Sequence, residues 1–461
     1  MRRITGRTLA LVFILLGFAA GVGILAFSFA LNGARWATNR ANGHIYTGGA
    51  IARAGSVLDR NGVILAETKN KKRDMPGGAT LRRATLHAVG DPQGFVSTGA
   101  HAAFRGDLTG YSAISGIYNV VRYGRGSDVR LTIDANLCKT AWQALNGRKG
   151  TVAVYNYKTG EVLCMVSSPS YDPLNKPKDI DTNKAYDAVY LNRFLHGLFT
   201  PGSTFKIITA ACAMEHMPDI DNRTFTCTGK YATGEGYVTC REKHGSLGFE
   251  KAMNVSCNSV FAQLAVELGE ARLKKTAEAM GFNQTYQADK LPLAISRFPP
   301  SPGETARPRN PLELGWTGVG QHTTLANPAQ MLLLMGAIAN GGQGIAPKLV
   351  LNTITPNGTT MPASRARVAL RIDPTIASRL RVILRSDVTR TYDPSGKKTG
   401  DLQLCGKTGT AEVDGKQPHA WFVGFALNPA KPYAIVVVGE NAGGGQAVAF
   451  EIAAAVMREI K

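Results

Sequence analysis

The feature that most constrains how this chain folds is a stretch near its amino terminus that carries no charge. The 23 residues from Leu9 to Leu31 are apolar or small, and arginines precede them. About 20 apolar residues in a helix span the hydrocarbon core of a bilayer, and basic flanks stay on the cytoplasmic side. We therefore predict a cytoplasmic tail at residues 1–8, a transmembrane anchor at 9–31 and an extracytoplasmic remainder.

A cleaved signal peptide is the competing interpretation of the same stretch. The small residues Ser28-Phe29-Ala30 would then form the cleavage site. The apolar core of a signal peptide is usually about 7–15 residues long. Because this core is longer, a retained anchor in the cell membrane is the favoured interpretation.

The positive charge of the chain is concentrated in its first part. The net charge is +20, and residues 1–127 contain 16 Lys/Arg against 5 Asp/Glu. A basic extracytoplasmic segment suits a membrane surface or anionic wall polymers. Nucleic acid also attracts basic proteins, but no nucleic-acid motif is present. Residues 32–127, rich in Gly, Arg and Ala, therefore predict a non-catalytic pedestal, followed by a mixed α/β catalytic domain at 128–461.

A serine and a lysine stand three residues apart in the segment Ser203 to Lys206, which follows Pro201-Gly202 and opens an apolar helical run. At this spacing the two side chains share one helix face. A serine needs a neighbouring base to become a nucleophile, and a neutral lysine can be that base. Alone, the pattern is more typical of a helix cap, and Ser395 to Lys398 repeats it in a Gly- and Pro-containing loop.

A second hydroxyl occurs with a carboxamide in Ser256-Cys257-Asn258, the one Ser-x-Asn string of the chain. It precedes another predicted helix. The hydroxyl of Ser256 suits a proton relay, and the carboxamide of Asn258 suits a peptide amide. A helix cap is the alternative interpretation of this string as well.

The third element is Lys407-Thr408-Gly409-Thr410, which continues a β-like run. Lys407 supplies positive charge, and Gly409 lets a substrate backbone approach closely. The hydroxyls of Thr408 and Thr410 suit a carboxylate.

Lys-Thr-Gly occurs at two further places. The copy at 158–160 lies between two β-like runs and predicts a hairpin turn. The copy at 398–400 belongs to the loop that also contains Ser395. Neither continues a strand, so both are interpreted as structural.

Ser-x-x-Lys, Ser-x-Asn and Lys-Thr-Gly in this order form the site of penicillin-binding proteins and class A β-lactamases. The chain resembles a class B penicillin-binding protein, a monofunctional peptidoglycan D,D-transpeptidase. No glycosyltransferase segment precedes the motifs, which favours class B over the bifunctional class A. Other stretches that resemble the family are Gly55–Ala66, Leu131–Asp134, Lys158–Val162, Pro169–Pro173, Leu191–Arg193, Gly318–Gln321, Asn340–Gly342 and His419–Phe425.

The resemblance implies an α/β (α+β) fold of the penicillin-binding transpeptidase or serine β-lactamase-like type, an antiparallel sheet flanked by helices. It implies Ser203 as nucleophile and Lys206, Ser256 and Lys407 as catalytic partners. Asn258, Thr408, Gly409 and Thr410 are then expected to bind the substrate. The implied ligands are stem peptides of peptidoglycan and β-lactams, the implied partner is a polytopic lipid II polymerase, and no cofactor or metal is expected.

Four other functions are compatible with these motifs. A D,D-carboxypeptidase would pass the acyl group to water, and a β-lactamase would deacylate quickly, although no glutamate clearly matches its water-activating position. A β-lactam sensor or a silent scaffold would bind without turnover. Three intact motifs argue against a silent scaffold, and the 8 residues before the anchor argue against a signalling part.

The seven cysteines predict no disulfide framework. Cys227 and Cys240 flank a predicted hairpin, and a disulfide between them or two free thiols are equally compatible with the sequence. A zinc site that adds His244 is disfavoured because no Cys-x-x-Cys accompanies it. Cys257 occupies the variable middle position of Ser-x-Asn, and no chemistry is assigned to it.

Overall fold

The structure is a computed structural model that describes residues 2–39, 41–47, 50–114, 116–117, 122–299, 309–363 and 365–460. Its α-helices are α1 Arg2–Ala37, α2 Ala79–Val89, α3 Ala100–Ala103, α4 Arg105–Leu108, α5 Ala135–Leu145, α6 Arg193–His196, α7 Lys206–His216, α8 Phe249–Asn254, α9 Asn258–Leu268, α10 Glu270–Ala279, α11 Pro311–Gly318, α12 Pro328–Ala339, α13 Pro374–Asp387 and α14 Glu451–Arg458.

Its strands come from both halves of the chain. They are β1 Tyr46–Thr47, β2 Ala50–Ile51, β3 Val57–Leu58, β4 Ile64–Lys69, β5 Lys72–Asp74, β6 Asp128–Leu131, β7 Gly150–Asn156, β8 Val162–Ser168, β9 Thr224–Cys227, β10 Lys230–Ala232, β11 Tyr237–Thr239, β12 Gly245–Gly248, β13 Gln287–Ala288, β14 Leu291–Pro292, β15 Gln343–Ile345, β16 Val350–Ile354, β17 Thr360–Pro362, β18 Val368–Arg371, β19 Leu404–Val413, β20 Lys416–Ala426 and β21 Tyr433–Gly439.

The uncharged amino-terminal stretch forms one continuous helix, α1, of 36 residues. Its large apolar side chains point outward, and Leu15 and Phe18 are 71% and 73% exposed. Within the described ranges, Gly6–Ala37 is the helix long and apolar enough to cross a membrane. Such exposure is costly in water and favourable in lipid, so α1 is suited to anchoring the chain in a membrane.

A six-stranded sheet joins strands from both sides of residue 127, in the order β17-β16-β6-β3-β4-β5. Strands β3 and β6 are parallel, with Val57 opposite Val129. At Gly55 a Cβ would lie 1.9 Å from the carbonyl oxygen of Ser127, so only glycine allows the backbones to approach this closely. The amino-terminal segment is therefore packed directly on the part of the chain that follows it.

The central sheet has five antiparallel strands in the order β19-β20-β21-β7-β8. Val436, Val437 and Val438 follow one another on β21 and are all fully buried. Because neighbouring strand residues point to opposite faces, both faces of the sheet are covered. Helices α12 and α14 both pack on β21. This confirms the predicted antiparallel sheet flanked by helices.

The pattern of apolar runs also predicts late strands at 402–406, 420–426 and 433–440 and a final helix near 446–460. The structure contains all four elements, and the first strand extends to Val413, beyond its predicted end. The three predicted strands correspond to β19, β20 and β21. The predicted helix at 446–460 consists of a π-helical turn, Gln446–Phe450, that leads into α14. Strand β19 forms one edge of the sheet, and a segment that contains Ser203 packs against it.

Candidate active site

Ser203 lies in a short 3₁₀ turn, Gly202–Phe205, which leads directly into α7 at Lys206. Gly202 has a φ of 54°, and a Cβ there would lie 2.7 Å from the carbonyl oxygen of Thr410. A residue with a side chain would be strained and would clash, so glycine is required at this turn. The serine is thereby held next to the edge strand β19.

The contact between the turn and β19 is tight from the other side as well. A Cβ at Gly409 would lie 2.7 Å from the carbonyl oxygen of Pro201. The indole nitrogen of Trp421, on the neighbouring strand, donates a hydrogen bond of 2.9 Å to the carbonyl of Thr200. The close approach that Gly409 permits in the structure is that of the turn containing Ser203, and its predicted role toward a substrate backbone stays a prediction.

Lys206 is fully buried at the first position of α7. Its Nζ donates hydrogen bonds to the carbonyl oxygen (2.6 Å) and Oγ (3.1 Å) of Ser256 and to Oδ1 of Asn258 (2.7 Å). Within the described residues it makes no hydrogen bond to Ser203. The first and second motifs are therefore joined directly, and the lysine is held on the second one.

The charge state of Lys206 follows from its surroundings. Burial, and then the positive charge of nearby Lys407, lowers the pKa of Lys206 from 10.5 to about 7. Its hydrogen-bond partners are neutral oxygens, which do not offset the loss of hydration as a carboxylate would. Near neutral pH a large fraction of this amine is unprotonated and can act as a base.

Ser256 occupies the tight turn between α8 and α9 and has a φ of 54°. The N–H of Ser256 donates to the carbonyl of Met253 (2.9 Å), and that of Cys257 donates to the carbonyl of Ala252 (2.8 Å). This pair of bonds is the Schellman ending of a helix, whose left-handed residue is usually glycine. A serine in this conformation is strained, and the turn directs both its carbonyl and its hydroxyl to Lys206.

Asn258 begins α9 and is held at both ends of its carboxamide. Its Oδ1 accepts from Lys206, and its Nδ2 donates to the carbonyl of Thr239 (2.9 Å). Its predicted contact with substrate stays a prediction.

Lys407 is fully buried on β19, like Lys206, but its partners differ. Its Nζ donates to the hydroxyl of Tyr392 (2.9 Å) and lies 3.7 Å from Oδ2 of Asp387, which is also fully buried. Burial opposes the charged form of Lys407, but Tyr392 and Asp387 outweigh it and raise its pKa. Lys407 is therefore a permanent cation.

Asp387 and Tyr392 are members of this site that the sequence motifs do not reveal. Asp387 ends α13, and Tyr392 ends the π-helical turn that follows. Burial raises the pKa of Asp387 to about 7, although Lys407 opposes that change. The hydroxyl of Tyr392 also accepts from the N–H of Thr408 (3.3 Å). An acidic residue at the end of an amphipathic helix is the one signal in the sequence, and it points to Asp387 only.

The remaining predicted residues lie along the edge strand. Thr408 is half-buried and Thr410 is exposed. The Oγ of Thr410 accepts a hydrogen bond from the N–H of Gly445 (3.1 Å). An open strand edge such as this one, next to Ser203, can accept an extended peptide as an added strand.

The other copies of the motifs lie in structural positions, as predicted. Residues 158–160 form the turn between β7 and β8. Residues 395–400 form a loop and a 3₁₀ turn between α13 and β19. Neither copy contacts Lys206 or Lys407 in the part of the chain that the structure describes.

The arrangement defines a class of enzyme. An antiparallel sheet carries a buried lysine on its edge strand, beside a Ser-x-x-Lys turn whose lysine is bonded to a Ser-x-Asn turn. This is the geometry of serine enzymes that form an acyl-enzyme through a lysine base.

Comparison with known proteins gives the family. The model of the penicillin-binding protein transpeptidase domain matches residues 150–458. The chain therefore belongs to the penicillin-binding protein transpeptidase family, and the resemblance to class B members is confirmed.

Named relatives agree with this assignment. The chain is 29% identical over 348 residues to the peptidoglycan D,D-transpeptidase PbpA of Mycobacterium tuberculosis H37Rv, covering 69% of this chain and 68% of that one. It is 28% identical over 358 residues to the peptidoglycan D,D-transpeptidase MrdA of Acinetobacter baumannii, covering 70% and 52%. The imipenem acyl-enzyme of M. tuberculosis penicillin-binding protein A superposes with a TM-score of 0.77 at 26% identity, covering 88% and 98%. The predicted class, a serine-type D,D-transpeptidase, is confirmed.

Proposed function

We propose that this protein cross-links peptidoglycan stem peptides through an ester on Ser203, with Lys206 as the base that activates it. The observation that carries the proposal is the state of Lys206, which is fully buried, bonded to Ser256 and Asn258, and has a pKa lowered to about 7. A lysine with an ordinary pKa would be protonated and could not accept the proton of a serine.

The first half-reaction is acylation. Ser203 Oγ attacks the carbonyl carbon between the last two D-alanines of a stem peptide, and its proton passes to neutral Lys206. The backbone N–H groups of Ser203 and Thr410 bind the oxyanion. Donors of this kind typically contribute on the order of 3 kcal/mol each. The carbon–nitrogen bond then breaks, and the leaving amine takes the proton through Ser256, whose Oγ lies 3.1 Å from Lys206 Nζ.

The second half-reaction is transfer. An amine of a neighbouring stem attacks the ester carbon, loses a proton to Lys206 and becomes the new amide, and the departing Ser203 Oγ regains a proton. The amide nitrogen of the cross-link thus replaces that of D-alanine, with no net oxidation or reduction. β-Lactams enter the first half-reaction and leave a slowly hydrolysed ester on the same oxygen.

Substrate binding is assigned to the edge of β19 and to the second motif. Lys407, kept positive by Asp387 and Tyr392, attracts the terminal carboxylate of the stem peptide. The hydroxyls of Thr408 and Thr410 bind that carboxylate, and Gly409 lets the peptide lie along the strand. Asn258 binds the peptide amide before the scissile bond.

The domain plan and the topology belong to the same proposal. Residues 1–8 form a cytoplasmic tail, 9–31 the anchor, 32–127 the pedestal and 128–461 the catalytic domain outside the membrane. The support is the exposed apolar surface of α1 and the arginines that precede its uncharged stretch. A polytopic lipid II polymerase is the proposed partner, and it would contact α1 within the bilayer and the pedestal outside it.

Labelling with a fluorescent penicillin tests the nucleophile. Wild-type protein in detergent should label at equimolar amounts, and Ser203→Ala should not label. Ser395→Ala is the matched control, because it alters the other Ser-x-x-Lys string, and it should label fully. Labelling of Ser203→Ala, or failure of wild type to label, would refute the assignment.

Product analysis separates transpeptidation from the alternative D,D-carboxypeptidase reaction. Incubation with lipid II, a polymerase and the enzyme should yield cross-linked dimers. Release of D-alanine without dimers would show that water, rather than an amine, accepts the acyl group.

A further inference from the structure

Four ligand-type side chains converge behind the second motif. Cys227 ends β9, Cys240 follows β11, His244 precedes β12, and Cys257 stands between Ser256 and Asn258. Their sulfur and nitrogen atoms all lie within 4.8 Å of one another. They come from three separate segments, because Cys240 and His244 share the loop between β11 and β12, so the fold is needed to assemble them.

The distances within this cluster match one coordination geometry. Tetrahedral zinc has Zn–S bonds of about 2.3 Å and Zn–N bonds of about 2.0–2.1 Å, which set sulfur–sulfur separations of about 3.8 Å and sulfur–nitrogen separations of about 3.5 Å. The Sγ atoms of Cys240 and Cys257 are 3.8 Å apart. His244 Nδ1 lies 3.5 Å from Sγ of Cys227 and 3.5 Å from Sγ of Cys240.

A disulfide does not account for the same cluster. All of the cysteines are free thiols, and the 3.8 Å between Cys240 and Cys257 is far longer than a sulfur–sulfur bond of about 2.05 Å. A Cys227–Cys240 disulfide would leave His244 and the thiol of Cys257 without a common role. Four converging donors are better explained by one ion.

The surroundings of the cluster are those of a metal site. The N–H of Asn258 points at Sγ of Cys240 (3.2 Å), and Ser259 Oγ lies 3.4 Å from Sγ of Cys227. Both groups belong to the start of α9, whose positive end favours thiolates. The other ring nitrogen of His244 lies 3.4 Å from a carboxylate oxygen of Glu242. A carboxylate behind a histidine is the usual second partner in zinc sites, where it fixes the ring.

We propose that Cys227, Cys240, His244 and Cys257 bind one zinc ion as a closed structural site. Three sulfurs and one nitrogen are a donor set typical of structural zinc, with no position left for substrate. Cys227 and Cys257 are buried, Cys240 is partly buried and the His244 side chain is 8% exposed, so an ion bound there would be largely shielded from solvent.

The site has a consequence for the reaction, which rests on the proposed function. Cys257 lies between the two residues that hold Lys206, and Cys240 follows Thr239, whose carbonyl accepts from Asn258. Zinc would therefore fix the strained turn at Ser256 and act as a positioning element for the base. It would take no part in bond making or breaking.

Metal analysis of the full chain tests the site. The protein should be purified in detergent through an affinity tag that does not bind metal ions. Elemental mass spectrometry should then find about one zinc per chain. His244→Ala and Cys257→Ser should each lose most of it. Cys138→Ala, which removes a buried thiol outside the cluster, is the matched control and should retain the zinc. Wild type without zinc, or with a disulfide inside the cluster, would overturn the proposal.

Cobalt substitution tests the site in the wild-type protein, so the result does not depend on variants that could fail to fold. Wild type loaded with Co²⁺ should show the thiolate charge-transfer and ligand-field bands of a tetrahedral sulfur-rich site, and their absence would count against it. Glu242→Gln should weaken zinc affinity by about tenfold or more, because it removes the partner of His244.

The positioning role has its own readout. Removal of zinc with a chelator should slow penicillin acylation of wild type by about tenfold or more, the range expected when groups that orient a site are lost, and added zinc should restore it. An unchanged rate would refute the positioning role. Ser203→Ala should keep its zinc while failing to label, so failure of the zinc proposal and failure of the proposed function remain distinguishable.

Discussion

The pockets around Lys206 and Lys407 are two buried-lysine environments with opposite outcomes. Both side chains are fully buried, yet the pKa of Lys206 is lowered to about 7 and that of Lys407 is raised. The difference lies in the partners: Lys206 faces neutral oxygens of Ser256 and Asn258, whereas Lys407 faces the hydroxyl of Tyr392 at 2.9 Å and the carboxylate of Asp387 at 3.7 Å. Burial alone favours a neutral amine, and at Lys407 Tyr392 and Asp387 together outweigh it. One lysine is thereby suited to accept protons and the other to attract an anion.

The variant expected to change the acylation rate most is Lys206→Arg, which tests the role of Lys206 as the base. Arginine stays protonated at all working pH values, so the variant carries a fixed cation and loses the base. The rate constant for acylation by a fluorescent penicillin should fall by about 10²–10⁴-fold, the usual contribution of a general base. Lys398→Arg, in the other Ser-x-x-Lys string, is the control and should leave the rate unchanged. A loss of less than tenfold in Lys206→Arg would mean that another group takes the proton.

Removal of the carboxylate from the second pocket should have an intermediate effect. Asp387→Asn leaves Lys407 buried without its counter-charge, and breaking a buried ion pair in this way costs about 3–5 kcal/mol of unfolding free energy. Thermal or denaturant unfolding should show that loss, and acylation should slow as well. Asp401→Asn is the control, because its partner Lys431 is 3.6 Å away and the Asp401 side chain is 69% exposed, so its effect should be small.

The same variant should shift the pH dependence of acylation. In wild type the rate should rise with pH through about 7, because Lys206 must lose its proton to act as a base. Asp387 favours the charged form of Lys206, as do the thiol groups of Cys240 and Cys257, whereas Lys407 opposes it. Loss of the Asp387 carboxylate should therefore lower the pKa of Lys206. The acidic limb of the pH–rate profile, which is the pH range where the acylation rate rises, should move to lower pH. A limb that stays in place would show that Asp387 does not act on the base.

The two pockets also differ in how much of them can be predicted from sequence. Sequence pattern predicts the three motifs, the choice of the Lys-Thr-Gly copy at 407 and strands β19 to β21. The strands are predictable because they are short runs of apolar residues bounded by turn-forming residues. The partners of Lys407 do not follow from it. Asp387 and Tyr392 precede Lys407 by 20 and 15 residues, and they reach it only because α13 and its π-helical turn pack on β19.

Long-range packing also explains the other differences between prediction and structure. Lys206 is bonded to Ser256 and Asn258 across 50 and 52 residues, a contact that spacing within one helix does not suggest. The sequence indicates no chemistry for Cys257, because it is the variable middle position of a Ser-x-Asn string, yet its thiol converges with three other donors. Local spacing predicts which residues share a turn, whereas the sheet and the α8–α9 corner decide which turns meet.

The smallest change in acylation rate is expected for Tyr392→Phe, which alters the pocket of Lys407 and leaves that of Lys206 intact. The change removes a hydroxyl that accepts from Lys407 and from the N–H of Thr408 but leaves Asp387 in place. One hydrogen bond of this kind contributes about 1 kcal/mol, so acylation should slow by about fivefold, and the acidic limb set by Lys206 should not move. Tyr157→Phe is the matched control, because it removes a buried hydroxyl bonded to the carbonyl of Ala426 and should leave acylation unchanged. A shifted limb in Tyr392→Phe would show that the two lysine pockets are coupled through the tyrosine as well as through the carboxylate.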